Sequence, residues 1–177
     1  MGRGFNGPVG RIIALDRAIN RSLARLRTPL TVQGAKLVSL LGSGPLWAAA
    51  YTLLVLACKD PFRPLIHAVL TGELIQLSIT IPLRYLTRRE RPQPDHAGRL
   101  FADWNRYSFP SLHTSRVCLL AIAAGSYWHG AAPYLPAGAV IIIGFSRLLL
   151  EKHYLSDVLA GAALGAFAGA TALWLNT

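Results

Sequence analysis

The chain has 177 residues, of which 53% are hydrophobic and 15% charged, with a formal net charge of +10. Apolar stretches of membrane-crossing length recur along it, which excludes a soluble globular domain and predicts an integral membrane protein. Its basic residues border those stretches and form no aromatic-interleaved groove, so the charge implies no nucleic-acid partner.

At the start of the chain, Ile12, Ile13, Leu15, Ile19, Leu23 and Leu26 recur at helical spacing, with Arg11, Arg17, Arg21 and Arg25 between them. This predicts an amphipathic helix on the membrane surface. Residues 1–29 are read as that interfacial anchor, with nothing in them for chemistry, and residues 30–177 as the transmembrane domain. The first 29 residues also lack the apolar core and cleavage site of a signal peptide, so the first span is expected to direct insertion.

Residues 33–58, broken at Gly42-Ser43-Gly44-Pro45, form either one bent span or a short re-entrant hairpin. Further spans are predicted over residues 64–85, 113–128, 133–150 and 155–175. The fold class is therefore all-α, a polytopic transmembrane helix bundle of five or six spans with an N-terminal interfacial amphipathic helix. In the last span Gly161, Gly165 and Gly169 recur four apart, a stripe that admits a close helix neighbour. Glu73 and Gln76 lie inside a span and suit helix-to-helix hydrogen bonds, while His67 and His129 fall near the opposite face. Cys58 and Cys118 sit in apolar segments without metal-ligand spacing and read as packing residues. The longest loop, residues 87–109, carries Asp95, His96, Asp103, Trp104 and Tyr107, which are available to select a headgroup.

Three polar clusters stand at the ends of these spans. Arg84 and Arg91 are seven positions apart, about two helical turns, so they can share one side of a helix end and its continuation. Guanidinium donors form a planar fork that matches phosphate oxygens. Pro110 and Ser111 are helix-start residues, and a helix N-terminus offers unpaired amides to an anion that His113 would face. The third cluster holds Arg147, His153 and Asp157. At a separation of four, in a helical turn, Asp157 is expected to accept the Nδ1 proton of His153 and leave Nε2 as a nucleophile. Charges at membrane depth are costly unless paired or functional, so three arginines, two histidines and an aspartate on one face point to phosphate chemistry on a lipid.

In these residues the chain resembles the type 2 phosphatidic acid phosphatase family, whose signatures are K-x6-R-P, P-S-G-H and S-R-x5-H-x3-D. They stand here as Arg84-x6-Arg91-Pro92, Pro110-Ser111-Leu112-His113 and Ser146-Arg147-x5-His153-x3-Asp157, in the same order and spacing. Two positions depart from the pattern: Arg84 replaces lysine and Leu112 replaces glycine. A left-handed conformation at Leu112 would be strained, so either the turn there is not left-handed or the loop is shifted.

The resemblance implies a metal-independent phosphatase without a cofactor. His153 would attack phosphorus, Asp157 would orient it, and His113 would protonate the leaving group. Arg84, Arg91, Arg147, Ser111 and the Leu112 amide would hold the phosphoryl oxygens. The expected partner is a membrane lipid, with a polyprenyl-linked phosphate or sugar phosphate favoured. Phosphatidate, phosphatidylglycerophosphate and undecaprenyl diphosphate are the alternatives, and a non-catalytic lipid-binding protein is the competing class. With a single bent span before Lys59, the positive-inside rule puts the site on the cytoplasmic face of a bacterial inner membrane; with two short spans a periplasmic site becomes the better reading.

Overall fold

The computed structural model describes residues 7–57, 63–93, 106–127 and 134–176. Seven α-helices are defined among them: α1 (Pro8–Leu23), α2 (Pro29–Leu40), α3 (Gly44–Ala57), α4 (Arg63–Thr87), α5 (Leu112–Tyr127), α6 (Tyr134–Leu149) and α7 (Leu155–Leu175). Proline at the first helical position starts both α1 and α2, where its missing amide costs no hydrogen bond. At α2, Thr28 accepts from the Thr31 amide at 3.2 Å while the Thr31 hydroxyl accepts from the Thr28 amide at 2.9 Å.

Three stretches are long and apolar enough to cross a membrane: Pro29–Ala57, Arg63–Thr87 and Leu155–Leu175. The first contains α2 and α3, which are separated by a turn at residues 41–43. Side-chain distribution follows a lipid solvent. Leu30, Leu56, Leu74, Leu86, Ile141 and Trp174 point outward, whereas Gln76, Thr80, Ser111, Thr114, Ser115 and Asp157 are fully enclosed. The protein is all-α and lies in the membrane.

Helices α5 and α7 form the most extensive contact, with α4 packed against both. Their approach depends on two glycines. A methyl group at Gly161 would collide with the Ser111 carbonyl, and one at Gly165 with the Ser115 carbonyl, so the backbone of α5 rests directly on α7. This contact sets the N-terminus of α5 beside the start of α7. Between α4 and α5, Arg116 Nε donates to Glu73 Oε1 at 2.9 Å and Ser115 Oγ to Gln76 Oε1 at 2.6 Å, while Arg116 Nη1 donates to the carbonyl of Gly42, in the turn between α2 and α3, at 3.1 Å. Glu73 and Gln76 thus bond across helices, as their place inside a span suggested, and the buried carboxylate has a cation as its partner.

Helix α1 is more than a surface float. It turns Asp16 and Asn20 inward, leaves Ile12 and Leu15 exposed, and half-buries Ile13, Ile19 and Leu23 against the bundle. Arg27, just after it, donates to the Asn20 carbonyl and to the Leu149 carbonyl, both at 3.1 Å, capping the ends of α1 and α6 together.

Candidate active site

Arg84 is buried near the C-terminal end of α4, where its Nη2 donates to the Pro110 carbonyl at 3.4 Å. The helix ends at Thr87, and Arg88 takes a left-handed φ of 46° that redirects the chain. Arg91 therefore reaches the site from a loop, not from a continuation of the helix as the spacing suggested. An isolated antiparallel bridge between Glu90 and Tyr107 closes the base of that loop. Within it the Arg91 amide donates to the Arg106 carbonyl at 3.3 Å and the Ser108 amide to the Arg89 carbonyl at 2.8 Å. Asp95, His96, Asp103 and Trp104 lie outside the described residues, as do Cys58 and His129.

Ser111 precedes the first turn of α5. Its amide donates to the Asp157 carbonyl at 3.0 Å, which ties the second cluster to the third. Leu112 opens the helix with its side chain buried. Among described non-glycine residues a positive φ occurs only at Arg88 and Glu151, so leucine here bears no left-handed strain. The first amides of α5 have no intrahelical acceptor and carry the positive end of the helix dipole. His113 follows, with the turn at Gly42 pressed so close that an added Cβ would lie 3.0 Å from the His113 Cβ.

Arg147 lies near the end of α6 and donates to Ser39 Oγ of α2. His153 occupies the connection to α7 and is 1% exposed. Its Nδ1 is 2.7 Å from the Ser108 carbonyl. A carbonyl can only accept, so Nδ1 carries the proton and Nε2 keeps its lone pair.

The expectation that Asp157 accepts this proton is corrected. Asp157 Oδ2 is 3.9 Å from Nδ1 and accepts instead from the Tyr154 amide at 2.8 Å. The reason is geometric: α7 begins at Leu155, so His153 precedes the helix and the separation of four does not place the two side chains on one helical face. Asp157 occupies the third position of α7, where a carboxylate closes back on the amides of its own helix start.

Burial, and after it the nearby cations Arg147, Arg91 and Arg84 and then His113, hold the His153 imidazole well below its usual 6.5. The histidine is neutral, with three guanidinium groups within electrostatic reach. That donor set is cationic and suits a tetrahedral anion.

Several contributors escaped the sequence reading. Arg89 Nη1 donates to Asp157 Oδ1 at 2.7 Å, and Arg89 Nη2 to Asp16 Oδ2 at 2.6 Å. The available signal for Asp16 was its being the one carboxylate in an arginine-rich helix. Arg89 was hidden in the run Arg88-Arg89-Glu90-Arg91, and a carbonyl such as that of Ser108 leaves no trace in side-chain identity. Beside the site, an apolar groove of about 450 Å³ is lined by Leu41, Trp47, Val117, Leu120 and Ile143. Of its lining residues, Leu41 is next in the chain to Gly42, whose turn touches His113.

Residues 64–177 match the model of the PAP2 superfamily. The decaprenylphosphoryl-5-phosphoribose phosphatase of Mycobacterium tuberculosis is 34% identical over 101 residues, 56% of this chain and 54% of that protein. The match thus spans about half the length of that relative. The crystal structure of LpxE from Aquifex aeolicus superposes with a TM-score of 0.70 at 22% identity, covering 92% of this chain and 94% of that one. That of a transmembrane PAP2-type phosphatidylglycerolphosphate phosphatase from Bacillus subtilis gives 0.77 at 16% identity, covering 97% and 88%. At these identities the two structures share the fold.

Proposed function

The chain belongs to the PAP2 superfamily, and from that premise we propose that it hydrolyses a phosphomonoester or diphosphate on a membrane lipid, through a phosphohistidine and without a metal ion. The observation that carries the reading is the His153 tautomer. With Nδ1–H held by the Ser108 carbonyl, Nε2 keeps its lone pair, and Arg147, Arg91 and Arg84 are close enough to act electrostatically on the ring. Nε2 attacks phosphorus as the bond to the lipid oxygen breaks, and His113 gives that oxygen its proton. Water, deprotonated by His113, then cleaves the P–N bond and releases phosphate. Arg84, Arg91, Arg147, Ser111 and the Leu112 amide bear the charge that collects on the equatorial oxygens. Asp157 holds the His153 loop against α7 through the Tyr154 amide.

Within this class we favour a polyprenyl-linked phosphate or sugar phosphate. The relative named for decaprenylphosphoryl-5-phosphoribose supports the choice, and the apolar groove lined by Leu41, Val117 and Ile143 suits a long hydrocarbon chain. The test is a phosphate-release panel in detergent comparing a polyprenyl-phosphoryl sugar phosphate, a polyprenyl diphosphate, phosphatidate and phosphatidylglycerophosphate. Activity is expected to be greatest on the polyprenyl lipids. A preference for either glycerolipid refutes the substrate assignment. His153→Ala is expected to lose turnover, and an alkaline denaturing quench of the parent should trap labelled phosphohistidine. Activity of His153→Ala near the parent's overturns the mechanism.

We further propose five spans, with the site facing the cytoplasm. Asp16 of α1 bonds Ser156 at the site's end of the bundle, and the last turn of α4, which carries Arg84, lies there too. Both fit a chain that crosses once between α1 and α4, through a bent Pro29–Ala57. The arginines of α1 then share the face of the three motifs, as the positive-inside rule requires of a cytoplasmic face.

A further inference from the structure

We propose that α1 belongs to the catalytic apparatus: Asp16 is a positioning residue that acts through Arg89 on Asp157 and so on the loop presenting His153. This rests on the phosphatase reading above. Asp16 is only 2% exposed, although it sits on a helix whose other charged residues are all arginines facing out. Both of its oxygens are engaged at the start of α7. Oδ1 accepts from the Ser156 amide at 3.0 Å, and Oδ2 accepts from Ser156 Oγ at 2.6 Å and from Arg89 Nη2 at 2.6 Å. The second position of α7 is thereby capped by a residue 140 positions earlier in the chain.

Arg89 extends the chain of bonds. Its Nη1 reaches Asp157 Oδ1 at 2.7 Å and Ser156 Oγ at 2.6 Å, and its Cζ lies 4.3 Å from the centre of the Tyr154 ring. One guanidinium therefore bridges two carboxylates and covers the residue next to His153. Without Asp16 the fork loses one of its two carboxylate anchors, and a group that is 23% exposed can turn toward water. Asp157 would then keep its Tyr154 contact but lose the clamp that fixes its orientation. The loss is expected in the chemical step, because Arg89 acts on Asp157 and on Tyr154, the residue next to His153.

The test is a double-mutant cycle of Asp16→Ala and Arg89→Ala, read as kcat and KM for phosphate release from a short-chain polyprenyl diphosphate in detergent, alongside thermal unfolding. Asp16→Ala is expected to lower kcat by about tenfold with KM within about twofold of the parent. In the Arg89→Ala background, Asp16→Ala should change kcat by less than about twofold, since the two act as one unit. Independent effects that multiply overturn the proposal, as does a loss in Asp16→Ala confined to KM. So does a fall in kcat that merely follows the unfolded fraction. A parent protein that releases no phosphate from any lipid of the panel overturns the phosphatase reading and this proposal with it; an active parent with multiplying effects overturns this proposal alone.

Discussion

Gly161→Ala tests the packing that assembles the site. The added methyl would overlap the Ser111 carbonyl oxygen and lie 3.2 Å from Ser111 C and Cβ. The obstacle is mostly backbone, so no rotamer change relieves it, and ordinary contact requires α5 and α7 to move apart by on the order of 1 Å. The Ser111 amide bond to the Asp157 carbonyl, now 3.0 Å, spans that same gap and would stretch beyond useful range. Overpacking of this kind costs about 1–3 kcal/mol. A shift of that size at reacting groups costs roughly 100-fold in rate. Gly138→Ala is the control, since nothing lies within 4 Å of its added Cβ; better helix propensity there should stabilise by about 0.5–1 kcal/mol and leave the rate alone. Thermal unfolding in detergent and kcat for phosphate release read both effects. A Gly161→Ala protein with the parent's kcat and unfolding temperature would refute the close approach of α5 to α7.

Three further outcomes are expected. The folded chain holds His153 below 6.5, so the unfolded chain binds a proton there that the native one refuses; stability should fall as pH drops through 6.5, while phosphoenzyme formation persists below it. An acid limb of phosphoenzyme formation at 6.5 or above would contradict the burial argument. Arg116→Met should cost about 3–5 kcal/mol by leaving Glu73 buried without its cation, and adding Glu73→Leu should recover part of the loss; a double mutant less stable than either single one would count against a simple pair. A cysteine placed at Ala18, between the outward arginines of α1, should resist membrane-impermeant maleimide in intact cells, and ready labelling from outside would reverse the proposed orientation.

Membrane residence and the helical class were legible in the sequence, because each is written in local chemistry. Apolar runs of bilayer length need only counting, and the residues of the three clusters keep fixed spacings within short segments. The Gly161, Gly165 and Gly169 stripe likewise announced a close neighbour, and α5 occupies that place.

What the tertiary structure decided are the pairings between distant segments. The i,i+4 rule assigned Asp157 to His153 on the assumption of one continuous helical turn, yet α7 starts only at Leu155, and the proton goes to a carbonyl 45 positions earlier. The left-handed Arg88 turned the chain where continuation was expected, since tertiary bonds at the loop base outweigh a local helical preference. Asp16 belongs to a helix whose sequence reads as a surface anchor with nothing for chemistry. Its burial depends on where α1 docks, which is set by partners 73 and 140 positions away. Local periodicity carries no information about such contacts. They arise because buried charges and helix-end amides must find partners wherever the fold brings them together.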